Sequence, residues 1–232
     1  YNVQAAIDCE HAIVIAQQVT TEANDTRSLL PMAEAAKTAL GNPLVLNVIA
    51  DAGYSSGEQA AACEDNGILP HVPANRSLNR HGDGTLLDRS EFMYDATGDR
   101  FRCPAGQRLT RQGVQRDRHR VIYRASVKAC GGCALKPVCT QAARRTVYRH
   151  LYEDALGRMQ QRASAEAMRR RRCCAEHPFA TLKYRILGLP RFLMRGLRGA
   201  RSEMGLAVLA YNLKRMMKVL GTKALVQQLA PA

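Results

Sequence analysis

The first 72 residues alternate between strand-like and helix-like segments in an order that few folds accommodate. "YNVQAAID" (1–8) alternates apolar and polar side chains and turns at Asp8-Cys9-Glu10; "HAIVIAQQVT" (11–20) follows, so the pair reads as a β-hairpin. "ANDTRSLLPMAEAAKTALG" (23–41) reads as a helix capped by Asn24, Asp25 or Thr26, regular from near Pro31 and ended by Gly41. In "LVLNVIADAGYSS" (44–56), Leu44, Val45, Leu46, Val48 and Ile49 lie between Asn42-Pro43 and Gly53, the pattern of a short buried strand. Ser55 or Ser56 then caps a helix, "GEQAAACEDNG" (57–67), and "ILPHV" (68–72) is a fourth strand. Strands alternating with helices predict an α/β layer, and sites in such layers lie beyond the carboxyl ends of strands. Asp51 stands at that position. A lone acid there ordinarily caps the next turn, so its meaning depends on the rest of the chain.

Charge separates the chain into unlike parts. Residues 1–100 carry 6 basic and 14 acidic side chains, residues 101–150 carry 12 and 1, and residues 151–232 carry 16 and 5, within a net charge of +14. An acidic first part followed by a basic remainder is the asymmetry of a protein that meets a polyanion. Aromatics are 5% and Trp is absent, which disfavours a base-stacking platform for single strands. No apolar run reaches the roughly 18 residues of a membrane span, so no membrane role is expected. No leader precedes the hairpin, and the opening at Tyr1 in strand sequence reads as a piece of a longer protein.

Beyond residue 72 the text changes. "ANRSLNRHGDGTLLDRS" (74–90) is polar and aperiodic, and the loop character is expected to extend to about Arg100. Residues 101–150 form a basic, cysteine-bearing segment. Helix formers dominate from about residue 154 to 184, and "EMGLAVLAYNLKRMMKVL" (203–220) spaces Met204, Val208, Tyr211 and Met216 or Met217 as a packing helix. The expected organisation is 1–75 as the first α/β part, 76–150 as loop and insertion, 151–220 as helices completing the core, and 221–232 as a tail.

Eight cysteines without a secretory leader point to reduced, cytoplasmic thiols rather than a disulfide scaffold. Cys103, Cys130, Cys133 and Cys139 follow C-x26-C-x2-C-x5-C, with glycines freeing the backbone between two of them. Four thiolates in that spacing suit one structural zinc ion, against the alternative of four reduced cysteines in a loop. Cys9, Cys63, Cys173 and Cys174 are expected to be small core residues.

"MRRRRCCAEHPFATLKY" (168–184) holds a second acid. On an ideal helix Arg172, Glu176 and Lys183 fall at about 0°, 40° and 20°, a single face, which is more commonly a salt-bridged surface than a site. Pro178 predicts a kink or a helix start near Glu176.

Taken together, "YNVQAAID", "NVIADAGYSS", R-x3-E-x6-K, the "CPAG…C-x2-C…C" segment and "GLAVLAYNLKRMMK" resemble the DDE transposases of bacterial insertion sequences, in order and over nearly the whole chain. The resemblance implies a ribonuclease H-like α/β fold interrupted by a small cysteine-rich insertion. It implies DNA as partner, a homo-oligomer as one assembly, and two Mg²⁺ ions held by three acids. Asp51 matches the second acid and Glu176 the third, while Arg172 and Lys183 match the basic members that would hold phosphates. Arg169 stands where the family has Tyr. The first acid, on a central strand before Tyr1, lies outside the chain; Asp8 and Asp25 are read as a turn and a cap residue, not as substitutes. The fragment alone is then expected to be inactive, with an unfilled slot beside the Asp51 strand. The alternatives are a zinc-stabilised DNA-binding fragment without catalysis and a related Mg²⁺-dependent nuclease.

Overall fold

The computed structural model describes residues 1–74, 86–188 and 191–229; residues 75–85 of the polar stretch expected as a loop lie outside these. Two compact units divide the chain: Tyr1–Ala74 with Ala155–Ala232, and Asn75–Asp154. The fold class is α/β, as the alternation predicts.

In the first unit, strand β1 (Asn2–Ile7) pairs antiparallel with β2 (Val14–Thr20). The Asp8 carboxylate closes the turn between them by accepting from the backbone N–H groups of Glu10 (3.0 Å) and His11 (2.9 Å). Helix α1 (Leu29–Ala39) starts at Ser28, which makes no side-chain cap. None of the three expected caps serves it: Asn24 accepts from the Thr26 N–H, and the Asp25 carboxylate turns away to β1. Pro31 fits in the first turn, where no N–H is required of it. Strand β3 (Leu46–Ile49) is shorter than its apolar run. It pairs in parallel only from Leu46, opposite Ile68, so Leu44 is left 90% exposed instead of buried. Ser56 caps helix α2 (Gly57–Asp65), accepting from the Gln59 N–H, and α2 leads into β4 (Ile68–His71), the parallel partner of β3.

The second unit holds a structure the sequence reading did not anticipate, a five-stranded antiparallel sheet in chain order. Its strands are β5 (Met93–Asp95), β6 (Arg100–Arg102), β7 (Arg108–Gln115), β8 (Arg120–Arg124) and β9 (Thr146–His150), with short helices α3 (Val127–Gly131) and α4 (Lys136–Cys139) between the last two. Three of the strands have five residues or fewer before β9, and their alternation sets arginine against apolar residues, which reads as charge rather than as a strand. Phe92, Phe101, Leu109, Val121, Tyr123 and Val147 form the buried face. Phe101 and Tyr123 meet edge to face at 5.0 Å. The Tyr94 and Tyr123 hydroxyls both donate to Asp99 Oδ1 at 2.9 and 2.5 Å, and the Tyr123 bond leads in holding the Asp99 carboxyl below its usual range.

The chain then returns to the first unit through helices. Helix α5 (Glu153–Arg162) ends before Ser164, whose hydroxyl accepts from the Ala167 N–H and starts α6 (Ala165–Thr181). No helix starts near Glu176, because α6 runs through that position. Pro178 is buried inside α6, and the irregularity comes later as a π-helical turn, Leu182–Ile186. Helices α7 (Gly196–Leu220) and α8 (Thr222–Leu229) follow. One core packs α7, through Ala200, Met204, Ala207, Val208 and Tyr211, on β2 and Leu182; Met216 and Met217 lie outside that seam. A second core joins Leu29, Ala33, Cys63, Ile68 and Met159. Among the described residues no helix is long and apolar enough to cross a membrane.

Glu64 fastens α5 to α2. Its carboxylate accepts from Arg158 at 2.5 Å and Arg162 at 2.6 Å, while Arg162 Nε also donates to the Pro70 carbonyl at 3.0 Å. The bond from Arg158 is the chief cause of a Glu64 pKa lowered from its ordinary 4.5. A depressed folded-state pKa stabilises above the unfolded value and loses that stabilisation as pH falls through the folded one. Glu64→Gln should therefore lower unfolding free energy by about 1 kcal/mol at neutral pH. In urea melts the difference from the parent chain should vanish as the pH drops well below 4.5.

Candidate active site

Asp51 leaves the carboxyl end of β3 and caps the 3₁₀ turn Ala52–Tyr54, its Oδ1 accepting from the Gly53 N–H at 3.0 Å. Its other oxygen, Oδ2, accepts from Arg171 Nη2 on α6 at 2.8 Å. The Asp51 side chain is 43% exposed, so this ion pair is open to exchange and contributes little stability. A methyl group at Gly53 would stand 3.0 Å from Asp51 Oδ1 and 3.3 Å from Asp25 Oδ2; the two carboxylates thus flank one glycine that has no side chain to separate them.

Asp25 is held by a network the sequence reading missed. Asn2 Nδ2 and Gln4 Nε2 both donate to its Oδ1 at 2.6 Å. Gln4, 2% exposed in the middle of β1, accepts in turn from the Tyr54 hydroxyl. Burial, and then the charges of Asp25 and Asp51, push the Tyr54 pKa well up against the opposing pull of Arg171, so the phenol keeps the proton it donates. The sequence did carry one signal for this network: a Gln at a buried strand position, which needs a partner for both ends of its amide. Arg171 was concealed in a run of four arginines.

These groups line a cleft of about 540 Å³ between β1 and β3, with α1 and α6 as its other walls. Among the described residues β1 pairs only with β2, and β3 only with β4, so both strand edges on the cleft are open. Helix α6 turns Arg170, Arg171, Cys174 and Ala175 toward the cleft. Glu176 is exposed, five residues past Arg171 and so about 140° round the helix, and is not among the residues lining the cleft. Arg169, Arg172 and Lys183 are exposed as well.

Asp51 and Asp25 present hard oxygen donors of the kind Mg²⁺ prefers. Among the described residues, however, no group of three or more His, Cys, Asp or Glu is gathered closely enough to hold a metal ion. That applies to the cysteines too. Cys103, Cys130 and Cys139 pack at the edge of the second unit's core, and Cys139 feels the other three thiols, but burial leads in raising its pKa. The four share a neighbourhood without meeting in ligand geometry.

Of the remaining cysteines only Cys63 is fully buried, its thiol pushed up to about 12 chiefly by burial. Cys9 and Cys174 are half-buried neighbours on the cleft, the Cys174 thiol donating to the Cys9 carbonyl at 3.7 Å. Cys173 is exposed, which corrects its expected core role: it lies on the outer face of α6.

Residues 102–217, half of the chain, match a family model described as the transposase DDE domain. The match spans Glu176, Arg172, Lys183 and all four grouped cysteines, and begins after Asp51. No curated protein and no solved structure matches the chain.

Tyr54→Phe removes the hydroxyl that satisfies the buried Gln4 Oε1. It should cost about 1–3 kcal/mol of stability by chemical denaturation, the penalty of an unpaired buried acceptor. The pair Gln4→Leu with Tyr54→Phe should recover part of that loss, because it removes both partners.

Proposed function

The chain belongs to the family of transposase DDE domains, and from that membership we propose that it forms part of an enzyme that cuts DNA at transposon ends and joins them to a target. The observation that carries the reading is the placement of Asp51: a carboxylate at the carboxyl end of a parallel strand, opening into a cleft with a second acid and an arginine beside it. Divalent magnesium, where bound, would activate the attacking water or 3′ hydroxyl and stabilise the leaving oxygen.

The chain's own part in this chemistry is positional. Asp51 is the metal-binding carboxylate from the strand. Glu176 is the metal-binding carboxylate from α6, and for it to face Asp51 the helix must turn about its axis. The π-helical turn that follows at Leu182–Ile186 is a place where such a change can be absorbed. Arg171 holds Asp51 Oδ2, the oxygen that a cation at this carboxylate would have to share or take over. Arg172 and Arg169 hold phosphates from the exposed side of α6, and Lys183 does so from the π-helical turn after it. The open edges of β1 and β3 receive an extended segment carrying a further carboxylate. Cys103, Cys130, Cys133 and Cys139 would have to leave their present geometry to hold one zinc ion, which would then fasten α3 and α4 to the sheet.

One observation favours a second reading, a DNA-binding part without catalysis: Glu176 stands outside the cleft. Strand-cleavage assays on the complete transposase with supercoiled DNA separate the two. Asp51→Ala and Glu176→Ala should each abolish cleavage in Mg²⁺ while duplex binding stays within about threefold, and retained cleavage in either variant would sink the assignment. Zinc is checked by elemental analysis: about one ion per chain is expected, lost in Cys130→Ser with Cys133→Ser, and a metal-free parent chain removes that role.

A further inference from the structure

The outer face of the five-stranded sheet is a separate feature from the cleft, and its composition follows from register alone. Directly paired residues in an antiparallel sheet point to the same side. One row crosses all five strands as Asp95, Arg100, Thr110, Arg124 and Thr146. The row beside it is Met93, Arg102 and Arg108. On the other side lie Ile122 with Tyr148, and then Gln115 with Arg120. Five arginines therefore share a face opposite the Phe101, Leu109 and Tyr123 core.

The face has one acid, and it is already engaged: Asp95 accepts from Arg100 Nε at 2.8 Å. Arg120 is held in place, with its guanidinium 4.0 Å from the centre of the Tyr148 ring and its Nε donating to Gln115 at 2.6 Å. Arg102, Arg108 and Arg124 have no ion-pair or hydrogen-bond partner on their side chains among the described residues, and Arg102 and Arg108 are exposed. Adjacent strands lie about 4.8 Å apart, so these charges repel one another across a rigid surface with no internal compensation. Such an arrangement persists when something else supplies the negative charge.

We infer that this face is a docking surface for the phosphate backbone of duplex DNA, with Arg102, Arg108 and Arg124 as the phosphate contacts and Arg120 as a pre-positioned fourth. The inference rests on the transposase reading for its choice of polyanion and is otherwise carried by the charge and register of the sheet. Thr110 and Thr146 add hydroxyl donors of the kind that bind phosphate oxygens. The side-chain amides of Gln115 and Gln112 are engaged by Arg120 and Thr110, and arginines laid along the backbone meet phosphates that carry no sequence information. The surface binds without sequence preference and positions the duplex.

The test is duplex binding by the full chain, using a labelled random-sequence duplex and fluorescence anisotropy between about 50 and 200 mM salt. Each phosphate contact contributes about 0.9 to the slope of log affinity against log salt. The triple variant R102A/R108A/R124A should bind at least about tenfold more weakly and flatten the slope by about 2–3. The lysine triple R102K/R108K/R124K should keep most of the slope, and the pair R102Q/R108Q, both exposed, should flatten it by about 2 if the triple fails to fold. The charge-matched control K214A/K218A/K223A, on α7 and α8, should change the slope by less than about 1. Equal losses in the control and the arginine variants overturn the inference in favour of net charge alone. Polyglutamate competing as well as the duplex overturns it in favour of an acidic protein partner. A parent chain that binds no duplex overturns it too. The cleavage result with Asp51→Ala is independent of all three, so the proposed chemistry and the docking face stand or fall separately.

Discussion

Two carboxylates that share one glycine set the terms for the first unit. Asp25 and Asp51 both reach the space a side chain at Gly53 would fill, and each is held there by its own donors. Asp25 is supplied from β1 by Asn2 and Gln4; Asp51 is supplied by the Gly53 N–H and by Arg171 on α6. Through Gln4 and Tyr54 the two halves of this arrangement become one network that ties the hairpin to the loop after β3. The two pairs of strands do not hydrogen-bond to each other among the described residues, so side chains, not a backbone ladder, connect them at this point. The cleft exists because that connection is local.

The same local connection explains how an acid-rich cleft persists beside a run of four arginines. Only Arg171 reaches Asp51; Arg172 and Arg169 point outward from α6, where their charge is solvated. The helix thus turns Arg170 and Arg171 toward the cleft, of which Arg171 bonds Asp51, and leaves Arg169 and Arg172 to solvent. The second unit divides its residues in a like manner, with Phe92, Phe101 and Tyr123 buried and Arg102 and Arg108 exposed. In both units many of the arginines are displayed on exposed faces, where their charge stays solvated.

Much of the architecture was legible in the residues. The hairpin, the helix over Leu29–Ala39, the strand before Asp51, the Ser56 cap and the parallel strand at Ile68 all follow from alternation and turn chemistry, because each depends on neighbours within a few positions. The errors have one origin. Asp25 sits where a cap belongs, yet its carboxylate goes to partners more than 20 residues away. The helix start expected near Glu176 is absent, since α6 begins at Ala165 after the Ser164 cap and carries Pro178 inside it. The Arg-and-aromatic strands of the second unit fall in a stretch expected as loop to about Arg100 and a basic, cysteine-bearing segment beyond it, since their apolar residues acquire a meaning only when five strands stack them on one side.

By itself, then, the sequence determined the α/β class, the position of Asp51 at a strand end, and the family to which the chain belongs, because local periodicity and motif order suffice for these. Tertiary structure alone decided that Arg171 is the residue on α6 that meets Asp51, that Gln4 and Tyr54 bridge Asp25 to the site, and that five arginines share an outer face. These facts depend on which elements pack together and by what rotation. A helix turns about 100° per residue, so one position along α6 separates a cleft contact from a solvated charge, and only the packing of that helix selects between them.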